Sequence, residues 1–174
     1  LSIWIADGHT NLTMAINLSA RQFFQKTLLE TIQKELDAAA IPAENLEFEI
    51  TESLMMNNIQ ETIETLQKMK DLGLHLSIDD FGTGYSSLSY LKQFPINKLK
   101  IDKSFVDGLP NDLDDLAIVQ AIIAISHALK LTVIAEGVET AEQYKLLAQL
   151  DCNEIQGYFF AKPLPAKDVI LRLK

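Results

Sequence analysis

Apolar and polar positions along the chain repeat with two different periods, and the switches between them mark out the elements. Period-two alternation, as in Leu74-His75-Leu76-Ser77-Ile78, predicts strands over residues 12–18, 46–51, 74–79, 98–101, 131–135 and 153–155. Apolar residues at helical spacing predict helices over 21–40, 59–72, 112–129 and 140–150, and from residue 166 onward. A short helical piece over 87–93 is closed by Pro95, and residues 1–8 read as the tail of a helix stopped by Gly8. Gly73 ends one long helix, and Asn111 or Asp112 can cap the next. Strands and helices take turns through most of the chain, which predicts an α/β fold with a parallel sheet and crossover helices. No linker or internal repeat divides it, so one domain is expected.

The phase of the strands carries more information than their number. Side chains in a strand alternate faces. Ala15 and Asn17 then share one face, while Ile16 and Leu18 take the other. In the same way Glu47 and Glu49 oppose Phe48 and Ile50, and Ser77 and Asp79 oppose Leu76 and Ile78. Lys98, Lys100 and Asp102 oppose Leu99 and Ile101; Glu136 continues the face of Thr132 and Ile134, and Gln156 that of Glu154. In a β/α barrel the apolar strand face packs on the helices, and inward residues at the C-terminal strand ends build the active site. Six strands each deliver one such residue: Asn17, Glu49, Asp79, Lys100, Glu136 and Gln156. The competing reading is a solvated polar rim.

Adjacent aspartates at a strand end repel each other unless a cation or a proton compensates. Asp79-Asp80 is such a pair; a solvated turn of Asp and Gly is the simpler account of it. Carboxylates with an amide oxygen form a hard ligand set that suits Mg²⁺, Mn²⁺ or Ca²⁺. Zinc is disfavoured, because His9, His75 and His127 are scattered and Cys152 is the sole cysteine. Two metals sharing such acids can activate water and stabilise in-line displacement at phosphorus, with Lys100 neutralising charge or holding the water. The rival for Lys100 is a Schiff base with a carbonyl substrate, which needs a depressed lysine pKa that neighbouring acids oppose.

Composition narrows the partners. A net charge of −9 excludes a general DNA or RNA binder, and a phosphate-bearing ligand would need metal ions or a locally basic pocket. The single cysteine rules out an internal disulfide and suits a reducing compartment. The most apolar run, 116–135, is interrupted by Gln120, His127 and Lys130, so no transmembrane span is expected within the sequence. A start at Leu1 suggests an excised piece.

Several segments, taken in order, resemble the EAL-domain family of cyclic di-GMP phosphodiesterases. They are Asn17-Leu18-Ser19, Glu49-Ile50-Thr51-Glu52-Ser53, Asp79-Asp80-Phe81-Gly82-Thr83-Gly84, Leu99-Lys100-Ile101-Asp102, Ala135-Glu136-Gly137-Val138-Glu139-Thr140 and Gln156-Gly157-Tyr158. The resemblance implies a modified TIM-type β/α barrel that uses two Mg²⁺ or Mn²⁺ ions to hydrolyse cyclic di-GMP to the linear dinucleotide. It implies metal ligation by Asn17, Glu49, Asp79 and Asp80, with Asp102 beside the second metal. Lys100 would contact the attacking water, and Glu136 would be a further metal-site carboxylate and general base. Gln156 would touch water or substrate. Glu52 would anchor the loop 81–88, which couples metal binding to homodimerisation in the family; a helix cap is its alternative role. Arg21 lies near the place of a guanine-reading contact, or is a surface residue at a helix start.

The Glu-Ala-Leu signature itself is absent from the sequence. A closed barrel has eight strands, and six are legible here, so residues 1–174 are expected to be an EAL-type domain lacking about two N-terminal strands. One metal-ligating carboxylate would then be missing and the seam strands unpaired. The polypeptide alone is expected to be inactive or weak, while its parent is a competent bacterial signalling hydrolase. That parent is expected to carry further signalling domains, with this domain in the cytoplasm and the whole protein free to be membrane-anchored. The alternative is a degenerate domain that senses cyclic di-GMP without cutting it.

Overall fold

The computed structural model describes residues 1–56, 58–84 and 88–173. After helix α1 (Ser2–Ala6) the chain alternates: β1 (Met14–Asn17), α2 (Ala20–Phe23), α3 (Leu28–Ala39), β2 (Leu46–Thr51), α4 (Glu52–Met55), α5 (Ile59–Asp71) and β3 (His75–Phe81). Then come α6 (Leu88–Leu91), β4 (Lys98–Ile101), α7 (Lys103–Asp107), α8 (Leu113–Ala128), β5 (Thr132–Ala135), α9 (Ala141–Gln149), β6 (Glu154–Ile155) and α10 (Ala166–Val169). The six strands form one parallel sheet in chain order, each paired with the next. The result is an open β/α half-barrel, with β1 and β6 as its free edges among the described residues.

The outer strand faces and the helices share the core. Ile50, Leu76, Ile78, Leu99, Ile101 and Val133 are buried against Leu66 and Met69 of α5, Val119 and Ile123 of α8, and Leu147 of α9. Each such side chain contributes about 1.5–3 kcal/mol relative to exposure. The residues between them face inward and are mostly polar, and Glu47, Glu49, Ser77 and Lys100 among them are buried as well.

The expected helix over 21–40 is two helices. Ser19 and Gln22 form a capping box that starts α2, and the chain breaks after Phe23 before α3 resumes at Leu28. In an unbroken helix Leu28 would point about 140° away from Phe23. The break re-phases the chain so that Phe23, Leu28, Ile32 and Leu36 are all buried. Asp112 is the cap of α8, accepting from the N–H groups of Asp114 at 2.9 Å and Asp115 at 3.1 Å. The short helices α4 and α7, directly after β2 and β4, have no apolar periodicity long enough to announce them. The piece expected over 87–93 is α6; Ser87 lies outside the described residues.

Candidate active site

Parallel register places the inward strand residues in layers. Asn17 is opposite Glu49, Thr51 opposite Asp79, and Lys100 opposite Ile134. The β3–β4 pair is irregular: Ile78 pairs with Leu99 and Phe81 with Ile101, so Asp79 and Asp80 together face Lys100 alone. This is a β-bulge, and Asp80 within it takes the left-handed conformation, with φ +54°. Strict alternation would send Asp80 to the helix side. The bulge instead keeps Ile78 and Phe81 in the core and turns both carboxylates inward. Carboxylate oxygens of Asp79, Asp80 and Glu136 consequently lie within 4.8 Å of one another.

Lys100 fills the centre of the bowl. Its Nζ stands 2.7 Å from Glu49 Oε1, 3.0 Å from Asp79 Oδ1 and 2.6 Å from Glu136 Oε1, and the residue is 3% exposed. Burial pulls the lysine pKa down, but hydrogen bonds to Glu136, Glu49 and Asp79 outweigh it and hold the ammonium well above its ordinary value. A lysine held charged by three carboxylates is the opposite of what Schiff-base chemistry needs, which disfavours the lyase alternative.

Two carboxyls beside it, Glu136 and Asp80, are raised as well, toward their neutral form. Burial raises the Glu136 carboxyl, Asp79 and Glu49 add to the rise, and Lys100 opposes it. Burial also raises Asp80, reinforced by the charge of Asp79 and by the hydrogen-bonded carboxyl of Asp102. Burial works on Asp102 in the same sense, but its cap on α7 prevails: the Ser104 hydroxyl and the Ser104 N–H, at 2.9 Å, hold its pKa below normal. Clustered hard oxygens with a surplus of negative charge fit a divalent cation. Asp79, Asp80 and Glu136 could hold one, with Asp102 alongside.

Glu52 opens α4 and is 2% exposed. Its Oε2 accepts from the N–H of Gly82 at 2.9 Å and of Gly84 at 3.3 Å, binding β2's exit to the segment after the aspartates. A Cβ on Gly84 would stand 2.8 Å from Glu52 Oε1, so only glycine allows this approach. Residues 85–87 of the loop expected over 81–88 lie outside the described residues.

The remaining expected residues flank the bowl. Asn17 is exposed at the end of β1, and Arg21 is exposed on α2. Gln156 follows β6 with its backbone tied to Ala135 O at 2.8 Å and Val138 N at 3.1 Å. Among the described residues, no side-chain bond joins Asn17, Arg21 or Gln156 to the acids. A second ionic layer lies one inward step below: Lys98 Nζ is 3.2 Å from Glu47 and 2.7 Å from Glu154. Strand parity puts those three on one face, but nothing in the sequence says that they meet.

The sequence matches the EAL domain over residues 4–163. It is 49% identical to the signaling protein YkoW of Bacillus subtilis over 163 residues, 94% of the chain and 20% of that protein. It is 45% identical to the cyclic di-GMP phosphodiesterase NbdA of Pseudomonas aeruginosa, over 91% of the chain and 20% of that protein. MucR of the same organism, a bifunctional diguanylate cyclase/cyclic di-GMP phosphodiesterase, is 41% identical over 98% of the chain and 25% of its own length. The solved MucR phosphodiesterase in complex with c-di-GMP superposes with a TM-score of 0.94, covering 97% of this chain and 68% of that one. The chain thus spans a fifth to a quarter of the length of these curated relatives. By sequence and by fold, it belongs to the EAL domain family.

Proposed function

We propose that the chain carries the hydrolytic site of a cyclic di-GMP phosphodiesterase. The observation that supports this most directly is the bowl itself, where Lys100 bridges Glu49, Asp79 and Glu136 beside the paired Asp79 and Asp80. The names of NbdA and MucR supply the substrate class. Glu49, Asp79, Asp80, Asp102 and Glu136, with the amide oxygen of Asn17, would hold Mg²⁺ or Mn²⁺, two ions in a complete domain. A bound cation of this kind supplies Lewis-acid polarisation of a phosphoryl oxygen and neutralises charge.

The side chains do the rest. Glu136, raised by burial, accepts a proton from water. The water oxygen attacks phosphorus, the opposite P–O bond breaks, and the departing sugar oxygen takes up a proton to give the linear dinucleotide. Lys100 holds the water and offsets charge growing on phosphorus. Gln156 contacts water or substrate, Arg21 a guanine edge, and Glu52 fixes the backbone that follows the aspartates.

The domain is proposed to be the C-terminal part of an EAL-type unit in a longer, multidomain signalling protein. A homodimer is supported by α8, whose Leu113 and Ile118 are 75% and 38% exposed beside exposed Ala117, Ala121 and Ala124. Among the described residues no helix is long and apolar enough to cross a membrane.

Incubation with cyclic di-GMP and Mn²⁺ tests the proposal. The open half-barrel should cleave weakly, because the outer edges of β1 and β6 are free among the described residues and the sequence has no Glu-Ala-Leu carboxylate. Glu136→Gln should lower that rate by about 10²–10⁴-fold. Binding without cleavage would identify a sensor, and neither binding nor cleavage would overturn the reading.

A further inference from the structure

Inward residues of β2, β4 and β6 stand in two tiers. Glu49, Lys100 and Gln156 make the upper one, and Glu47, Lys98 and Glu154 come two residues earlier on the same three segments. Two residues of strand span about 6.6 Å, so each lower residue sits beneath an upper one. Inside a β/α barrel, alternate strands supply such layers because the strands are staggered. The register shows that stagger. Lys98 is level with Ser77, and Ser77 with Glu49, yet Lys98 bonds to Glu47. Glu154 is level with Ile134, and Ile134 with Lys100, yet Glu154 bonds to Lys98.

Lys98 is what joins the lower tier. No two of β2, β4 and β6 are neighbours in the sheet. Its Nζ therefore reaches past β3 to Glu47 at 3.2 Å and past β5 to Glu154 at 2.7 Å. Burial pulls the ammonium toward its neutral form, but Glu154 and Glu47 outweigh it and hold the pKa above its ordinary value. The charge keeps both arms of the contact in place.

The two arms are not equivalent. β2 is tied to β4 a second time, by Lys100 and Glu49 at 2.7 Å. β6 is two residues long and pairs with β5 alone. Among the described residues, the bond from Lys98 to Glu154 is its one ion pair. Gln156 makes no side-chain bond to the acids, so no side chain of the upper tier fixes how far β6 folds in over the bowl. The pull of Lys98 on Glu154 does.

We infer that Lys98 is a positioning residue: by drawing Glu154 toward β4 it sets the curvature of the sheet at β6, and so brings Gln156 to a nucleotide held over Lys100. The inference rests on the phosphodiesterase reading above, in which Gln156 touches water or substrate, and extends it to a residue that does no chemistry.

Isothermal titration of cyclic di-GMP into the chain with Ca²⁺ present, beside titration of Mn²⁺ alone, tests it. Glu154→Gln cuts the arm to β6 and leaves Lys98 paired with the buried Glu47. It should weaken nucleotide binding by about two- to fivefold, the worth of a half-exposed ion pair, with Mn²⁺ affinity unchanged. Lys98→Met combined with Glu47→Gln, which strands no buried charge, should show the same loss. Gln156→Ala should also bind more weakly, and adding Glu154→Gln to it should have no further effect, because the contact acts through Gln156. Unchanged nucleotide affinity in Glu154→Gln or in Gln156→Ala overturns the role of Lys98 alone. So does a loss that adds to that of Gln156→Ala, that the Lys98→Met combination does not share, or that extends to Mn²⁺. No binding by the unsubstituted chain overturns the functional reading and the positioning role with it.

Discussion

Lys100 is the residue on which the bowl's stability turns. Removing one partner of a buried ion pair costs about 3–5 kcal/mol, because the other charge stays buried without compensation. Here three carboxylates would be stranded at once. Lys100→Met should lower the unfolding free energy in urea by a margin of that size at pH 7, and by less at acid pH, where Glu136, raised by burial, takes up a proton. An unchanged value would mean that solvent already screens the site. Asp80 predicts a complementary effect. Its carboxyl is held above the ordinary value by burial, then by Asp79 and Asp102. The folded chain therefore binds that proton more tightly than the unfolded chain does. The group's favourable contribution is present at acid pH and is lost as pH rises through the raised value. A cation seated on these acids relieves the repulsion, so Mn²⁺ should raise the melting temperature more at pH 7 than at pH 4. Equal stabilisation at both would put the ion elsewhere.

Between elements, the decisive contact is the one from α4 to the end of β3. Glu52→Ala would leave the N–H groups of Gly82 and Gly84 without that acceptor, a loss of about 0.5–1.5 kcal/mol per bond because both glycines are exposed to water. Hydrogen exchange should speed up at those two amides, with the β4 and β5 amides unaffected. Unchanged protection at Gly82 would rule out the anchoring role. This is also the level at which the sequence was least legible. Strand positions followed from alternation, and Glu49, Asp79, Lys100 and Glu136 were placed on one rim by counting in twos. Asp80 could not be placed that way, since its inward turn depends on a bulge that pairing with β4 reveals. The Lys98–Glu47–Glu154 layer depends on sheet curvature, which brings alternate strands together. The break at residues 24–27 was hidden because both halves of the segment are amphipathic and only their mutual phase betrays it.

At the scale of the molecule, the exposed apolar strip on α8 and the open edges of the sheet set the behaviour in solution. If the proposed homodimer forms through α8, Ile118→Asp should convert it to a monomer in light scattering after gel filtration; a monomeric unsubstituted chain would remove α8 as the interface. The half-barrel form itself follows from the order β1 to β6, which gives each strand only its sequence neighbours. The bulge in β3 has one consequence for this architecture. Because Asp79 and Asp80 share a single partner in β4, deleting codon 80 would restore ordinary pairing while Ile78 and Phe81 keep their places in the core. Such a shortened protein should melt close to the parent yet take up no Mn²⁺. In this strand a lineage could shed its chemistry in one step and keep the scaffold.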